Sequence, residues 1–279
     1  MTRRTKLLLL PLLLTALVAA CWVLASLTGI GLPLLLLVVF SAIVLGVGVL
    51  YARMIVAART LAALNQDAVA MVNQGRVREG LVAFESCAEK ARAARLPGYA
   101  MLFQANAASA LVELGRPERA VSTCRALEQE PDVRRSLAAT WGHFVGTAAT
   151  AKLLVADADI DATEAYLDRH APDVSQPQRA LLLTPRVIIL LRRGRHAEVD
   201  PLLSERWLEA EGVLPARRLR RLRLLWAFAL HEAGRAEDAR ERLNAAGPTA
   251  VEETEPLTRG WPSLAAYLAG LQGYRASAR

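Results

Sequence analysis

No Asp, Glu, Lys, Arg or His stands between Leu7 and Ala52, and that absence excludes a stretch that lies in water. At a rise of ~1.5 Å per residue, one helix through it is roughly twice the thickness of a bilayer core, so two spans are expected. Gly29, Gly31 and Pro33 in LTGIGLP mark the break, because glycine weakens a helix and proline suits its first turn. The spans are placed at 7–27 and 32–52, after a basic tail at 1–6. Arg3, Arg4 and Lys6 precede them and Arg53 and Arg59 follow, while the intervening turn carries no charge. Positive charge holds both ends in the cytoplasm. Tyr51 suits the inner boundary, and Ala42 and Gly46 suit close helix approach. A lipoprotein signal ending VAAC at Cys21 is the alternative, but Trp22 to Leu27 stays apolar where a polar tether is usual.

Cysteine is scarce as well. Of the three, only Cys87 and Cys124 lie beyond the spans, with no C-x-x-C spacing, so both read as small buried hydrophobes rather than redox or metal groups. The chain has no G-x-S-x-G, G-x-G-x-x-G or Walker-type loop, which leaves hydrolase elbows and phosphate cradles without support. His143, His170, His196 and His231 have no second histidine at metal-binding spacing, His231-Glu232 included. Asp157, Asp159, Asp161 and Asp168 mimic positions of a calcium loop, yet Ala162 stands where the turn needs glycine. An acidic helix cap, Asp161 or Thr163, is the preferred reading, and no cofactor or metal is expected. The net charge of +7 includes the three positive charges before the spans. The remainder is mild and favours an anionic membrane surface rather than nucleic acid.

What the chain does have is repetition. Gly75-Arg76, Gly115-Arg116, Gly194-Arg195 and Gly234-Arg235 follow one another at steps of 40, 79 and 40 residues, so a degenerate fifth member is expected near position 155. Seven residues before each glycine stands Ala68, Ala108, Val187 or Ala227, and four before stands Met71, Leu111, Leu190 or Leu230. Five after stands Gly80, Ala120, Val199 or Ala239, and nine after stands Phe84, Cys124, Leu203 or Leu243. Apolar residues at helical spacing on both sides of a left-handed glycine predict two antiparallel helices meeting through small residues. Pro117 suits a helix start, as do Glu118 and Glu237 at the positive end of the dipole. Pro185 and Pro201 predict shortened helices restarting at Thr184 and Asp200 as caps.

These offsets resemble the tetratricopeptide-repeat family, best over 64–131 and 222–246. The step near 40 exceeds that family's 34, so a related α-solenoid remains open. With the two transmembrane helices read from the uncharged run, the resemblance implies an all-α protein whose residues 53–246 form about five antiparallel hairpins. A loop, a short capping helix at 263–271 and a frayed tail complete 247–279.

The resemblance also implies a groove lined by first helices that holds a segment of another protein. Its candidate positions are Val69, Ser109, Phe228 and His231; the position six before each glycine lacks the Asn of the family's carboxylate-binding subset. A second candidate surface is ARRLRRLRLLW, where Arg217, Arg218, Arg220 and Arg221 read either as a solvated helix face or as a patch for anionic lipid or an acidic partner. Aromatic residues do not interleave with these arginines as nucleic-acid stacking would need. The expected function is a membrane-anchored, non-enzymatic adaptor on the cytoplasmic side, with a dispersed acidic and histidine enzyme site or anionic-lipid binding as the alternatives.

Overall fold

Pro33 opens the first described helix in the manner expected: α1 runs unbroken from Leu32 to Asn73. The computed structural model describes residues 31–258 and 260–277, with Ala20, Trp22, Val23, Ser26 and Leu27 before them. The expected span at 7–27, like Cys21, falls largely outside the described residues. Among those described, one helix is long and apolar enough to cross a membrane. Phe40, Leu45 and Leu50 along it are each about two-thirds exposed. The chain divides inside α1 into a unit ending at Arg59 and a body beginning at Thr60.

The body is helical, with no strand among the described residues. After α1 come α2 (Val77–Ala93), α3 (Pro97–Glu113), α4 (Pro117–Glu128) and the single turn α5 (Val133–Ser136). Next are α6 (Trp141–Leu154) and α7 (Ile160–His170), then α8 (Leu183–Arg192) and α9 (Val199–Val213). The chain closes with α10 (Ala216–Glu232), α11 (Ala236–Ala246), the short α12 (Ala250–Thr254) and α13 (Pro262–Ser277).

All four Gly-Arg pairs make the same turn. Gly75, Gly115, Gly194 and Gly234 have φ of 86°, 65°, 70° and 76°. Each glycine N–H bonds back to Val72, Val112, Leu191 or His231, and each following arginine N–H to Met71, Leu111, Leu190 or Leu230, at 2.9–3.1 Å. This paired 5→2 and 6→1 pattern satisfies two orphan carbonyls of the ending helix and is the Schellman motif. Arginine then stands just before the next helical turn: Arg76 and Arg195 fork the carboxylates of Glu79 and Glu198 three residues on, and Arg235 donates to Asp238. These pairs are exposed and stabilise little; they orient the turn. Beyond the turns the small positions are sealed, with Ala68, Ala108, Ala120 and Val199 fully buried. At Gly80 a Cβ would lie 2.5 Å from Val72 and 3.1 Å from the Ala68 carbonyl, so α1 and α2 touch there nearly backbone to backbone.

The turn from α2 to α3 has the same hydrogen bonds but places Arg95, not glycine, at φ 56°. An L-residue there costs about 1–2 kcal/mol. Arg95→Gly is therefore expected to stabilise the protein by about 0.5–1 kcal/mol, net of the entropy glycine adds to the unfolded chain. A urea midpoint that stays the same or falls would count against the left-handed turn.

Near position 155, where the degenerate member without glycine is expected, α6 is followed by α7. Several other expectations need correction. Asp159, rather than Asp161 or Thr163, caps α7, its carboxylate accepting from the Ala162 N–H at 2.8 Å. Thr184 and Asp200 cap nothing. Short 3-10 turns at Gln176–Leu182 and His196–Glu198 lead into α8 and α9, so Pro185 and Pro201 sit in first turns where a missing N–H is harmless. Asp200 instead accepts from Trp226 Nε1 at 2.9 Å and pairs with Arg235 at 2.5 Å. The closing segment carries more helix than the expected loop, short helix at 263–271 and tail: α12 lies within it and α13 runs from Pro262 to Ser277.

Candidate functional site

A groove of about 500 Å³ opens in the body. Its walls come from α1 (Asn65, Val69), α3 (Leu102, Asn106, Ser109), α6 (His143) and the start of α10 (Arg217, Arg218). Leu181, Val213 and Leu214 add apolar surface. Asn106 donates to Asn65 Oδ1 at 2.8 Å, tying α3 to α1.

Its charged end is built on Glu113, the last residue of α3, which is buried. Arg221 donates to both Glu113 oxygens, one bond measuring 3.0 Å, and its Nε donates to the Glu253 carbonyl at 2.8 Å. Arg217 and Arg218 approach the same carboxylate at 3.5 and 4.0 Å. Positions 217 and 221 share one helix face with 218 beside it, which is why three arginines converge. Burial pushes the Glu113 carboxyl up, but Arg221 with Arg218 and Arg217 outweighs this and holds it down at about 2. Arg218 also donates to Ser109 Oγ at 2.7 Å and lies 3.4 Å from His143 Nδ1. A guanidinium only donates, so Nδ1 accepts and the His143 proton resides on Nε2. Burial, reinforced by Arg218, pushes His143 down to about 3, leaving the imidazole neutral at physiological pH.

Ser109 has its oxygen, and His143 its basic nitrogen, turned to Arg218, so neither is set up as nucleophile and base. Cys124 is buried and its thiol is pushed up to about 12 by that burial, which removes it as a thiolate.

The sequence candidates part company here. Val69 and Ser109 do line one groove. Phe228 does not: it is 1% exposed, covered by Trp261 and Tyr267 at ring distances of 5.9 and 5.3 Å. His231 borders a separate surface hollow of about 890 Å³ with Tyr267 and Leu243, its ring 5.1 Å from Tyr267. The arginine helix is not a solvated face. Arg221 is 4% exposed and spends its charge inside the body, and Arg220, one-third exposed, forks Glu253 at 2.6 and 2.9 Å. Only Arg217 and Arg218 of the four line the groove.

Of the acidic run, Asp159 caps α7 while Asp161 and Asp168 pair with Arg193 and Arg186; among the described residues no three His, Cys, Asp or Glu stand close enough to hold a metal. Sequence reading missed Asn65, Asn106, Glu113 and His143. Glu113 did carry a signal, a single charge between Val112 and Leu114 in an otherwise apolar stretch. Comparison with protein-family models, curated proteins and solved structures finds no match to this chain.

Proposed function

We propose that this chain is a membrane-anchored, non-enzymatic adaptor: two N-terminal spans hold a tetratricopeptide-like solenoid of helical hairpins at the inner face of a bacterial-type membrane, where its groove holds a segment of a partner protein. The observation that carries this reading is the groove itself. An apolar wall with a few placed polar groups is what recognition surfaces require, and hairpin stacks offer such concave faces to peptides. Four repeated turns with the same hydrogen bonds support the solenoid; the uncharged run before Arg53 supports the spans and the basic flanks support a cytoplasmic body.

Photocrosslinking in native membranes tests it. A crosslinking side chain at Val69, which lines the groove, is expected to give a discrete adduct; the same group at Val82, 65% exposed on α2 and outside the groove, is expected to give none. Equal adducts from both sites, or none from Val69, would remove the adaptor reading.

A further inference from the structure

We infer that the groove takes an acidic segment of its partner: an internal Asp or Glu with apolar neighbours, its carboxylate seated on Arg217 and Arg218. The inference rests on the adaptor reading of the same groove and narrows what the partner must present.

The argument begins with charge. One carboxylate, Glu113, faces three guanidinium groups, and both of its oxygens hydrogen-bond to Arg221. Arg217 and Arg218 stand at 3.5 and 4.0 Å, where attraction persists but a good hydrogen bond does not. No other Asp or Glu lines the groove among the described residues. His143 is neutral and adds no charge of either sign. The wall therefore holds an excess of positive charge at a site only partly open to water, where a counter-charge matters more than at a free surface.

Hydrogen bonding points the same way. Arg217 Nε is buried and makes no hydrogen bond, its nearest carboxylate oxygen being Glu113 Oε2 at 3.5 Å, a loosely held donor of a kind native structures seldom leave. A second carboxylate meeting the exposed 15% of the Arg217 side chain supplies the counter-charge that Glu113, shared among three arginines, gives only in part, because guanidinium and carboxylate match in geometry. The remaining wall selects the neighbours of that carboxylate. Leu102, Leu181, Val213 and Leu214 offer apolar contact, while Asn65 and Asn106 offer amide donors and acceptors suited to the backbone of an extended segment. A monoanion suits this end better than a doubly charged phosphate, since the incoming group lies near Glu113 and every added negative charge is repelled by it.

The test uses the full chain in zwitterionic nanodiscs and bead-bound libraries of capped nonapeptides, randomised around a fixed central Glu, Gln or Lys. The Glu library is expected to retain about tenfold more protein than the Gln library, the scale of a charge-assisted hydrogen bond. Arg217→Gln is expected to erase that ratio and Arg217→Lys to keep part of it, with circular dichroism and urea midpoint reporting that both variants fold. Equal retention by Glu and Gln overturns the proposal, as does a Glu preference unchanged in Arg217→Gln. Retention displaced by glycerol phosphate but not by N-acetylglutamate amide reassigns the site to a lipid headgroup and overturns it too. Crosslinking from Val69 that succeeds without any Glu preference removes this inference and leaves the adaptor reading; a Glu preference without crosslinks does the reverse.

Discussion

Glu113→Gln is expected to cost about 3–5 kcal/mol of stability, because it strands the Arg221 guanidinium in the interior with its counter-charge gone. Arg221 is only 4% exposed and cannot turn to water, and Arg217 and Arg218 lose their shared anion at the same time. Replacing both partners is milder: Glu113→Leu with Arg221→Met is expected to recover about half of the loss or more, since apolar groups of similar volume carry no desolvation cost. Urea unfolding followed by circular dichroism separates the two cases. Single and double variants of equal stability would mean that the pair is not buried as described.

The same pair predicts the acid limb of the stability curve. Glu113 is lowered to about 2 in the folded state from an ordinary 4.5, so its contribution is complete above pH 4.5 and is lost as pH falls toward 2. His143, lowered to about 3 from 6.5, penalises the folded state from about pH 6.5 downward, because the unfolded imidazole takes the proton first. Acid destabilisation is thus expected to begin near pH 6.5 and steepen below 4.5. In Glu113→Gln the steeper part should shrink, and in His143→Gln the earlier part.

Gly146→Ala is the second large effect, at about 3 kcal/mol, the upper part of the usual range for overpacking. A Cβ at Gly146 would lie 2.5 Å from the Leu181 carbonyl oxygen, and the obstacle is backbone that cannot rotate aside. One turn earlier, a Cβ at Gly142 would lie 2.7 Å from Gln178 Cβ and 2.8 Å from Val174. Gln178 completes the contact by accepting from the Gly142 N–H and donating to the Ala139 carbonyl, both at 2.7 Å. Alanine would gain about 1 kcal/mol of helix propensity at either site, and the clash outweighs it. Gly270→Ala, with nothing within 4 Å of its Cβ, is the control expected to stabilise by a fraction of that propensity term. A melting temperature for Gly146→Ala equal to that of the parent would mean that α6 does not press against this segment.

What was legible in the sequence is what local physics decides. A left-handed helix end demands glycine wherever it occurs, so Gly75, Gly115, Gly194 and Gly234 announced their turns, and with them the sealed positions at Ala108 and Ala120. Leu32 and Pro33 likewise announced the start of α1. The acidic cap was found two residues late because Asp157, Asp159 and Asp161 are alike in sequence; only the helix start distinguishes Asp159.

The arginine cluster was misread for a different reason. Glu113 lies at a helix C-terminus and Arg217 at a helix N-terminus, the ends whose dipoles disfavour their charges, and Arg221 is 108 residues from Glu113. Locally the arginines look solvated, and Glu113 shows only as a lone charge among apolar neighbours; the tertiary pairing makes them a site. Phe228 failed as a groove position because α13 and Trp261 cover it, whereas the equivalent Val69 stays exposed and Ser109, though buried, lines the groove. Gly142 and Gly146, one helical turn apart in a stretch ending in Thr and Ala, carry a readable sign of close packing rather than of a turn.

The claim on which the function depends is that a span holds this body inside the cell. Arg240, 68% exposed, replaced by cysteine and treated with a membrane-impermeant maleimide, tests it directly. The account predicts no labelling in intact cells and full labelling once the membrane is permeabilised. Labelling before permeabilisation would contradict it.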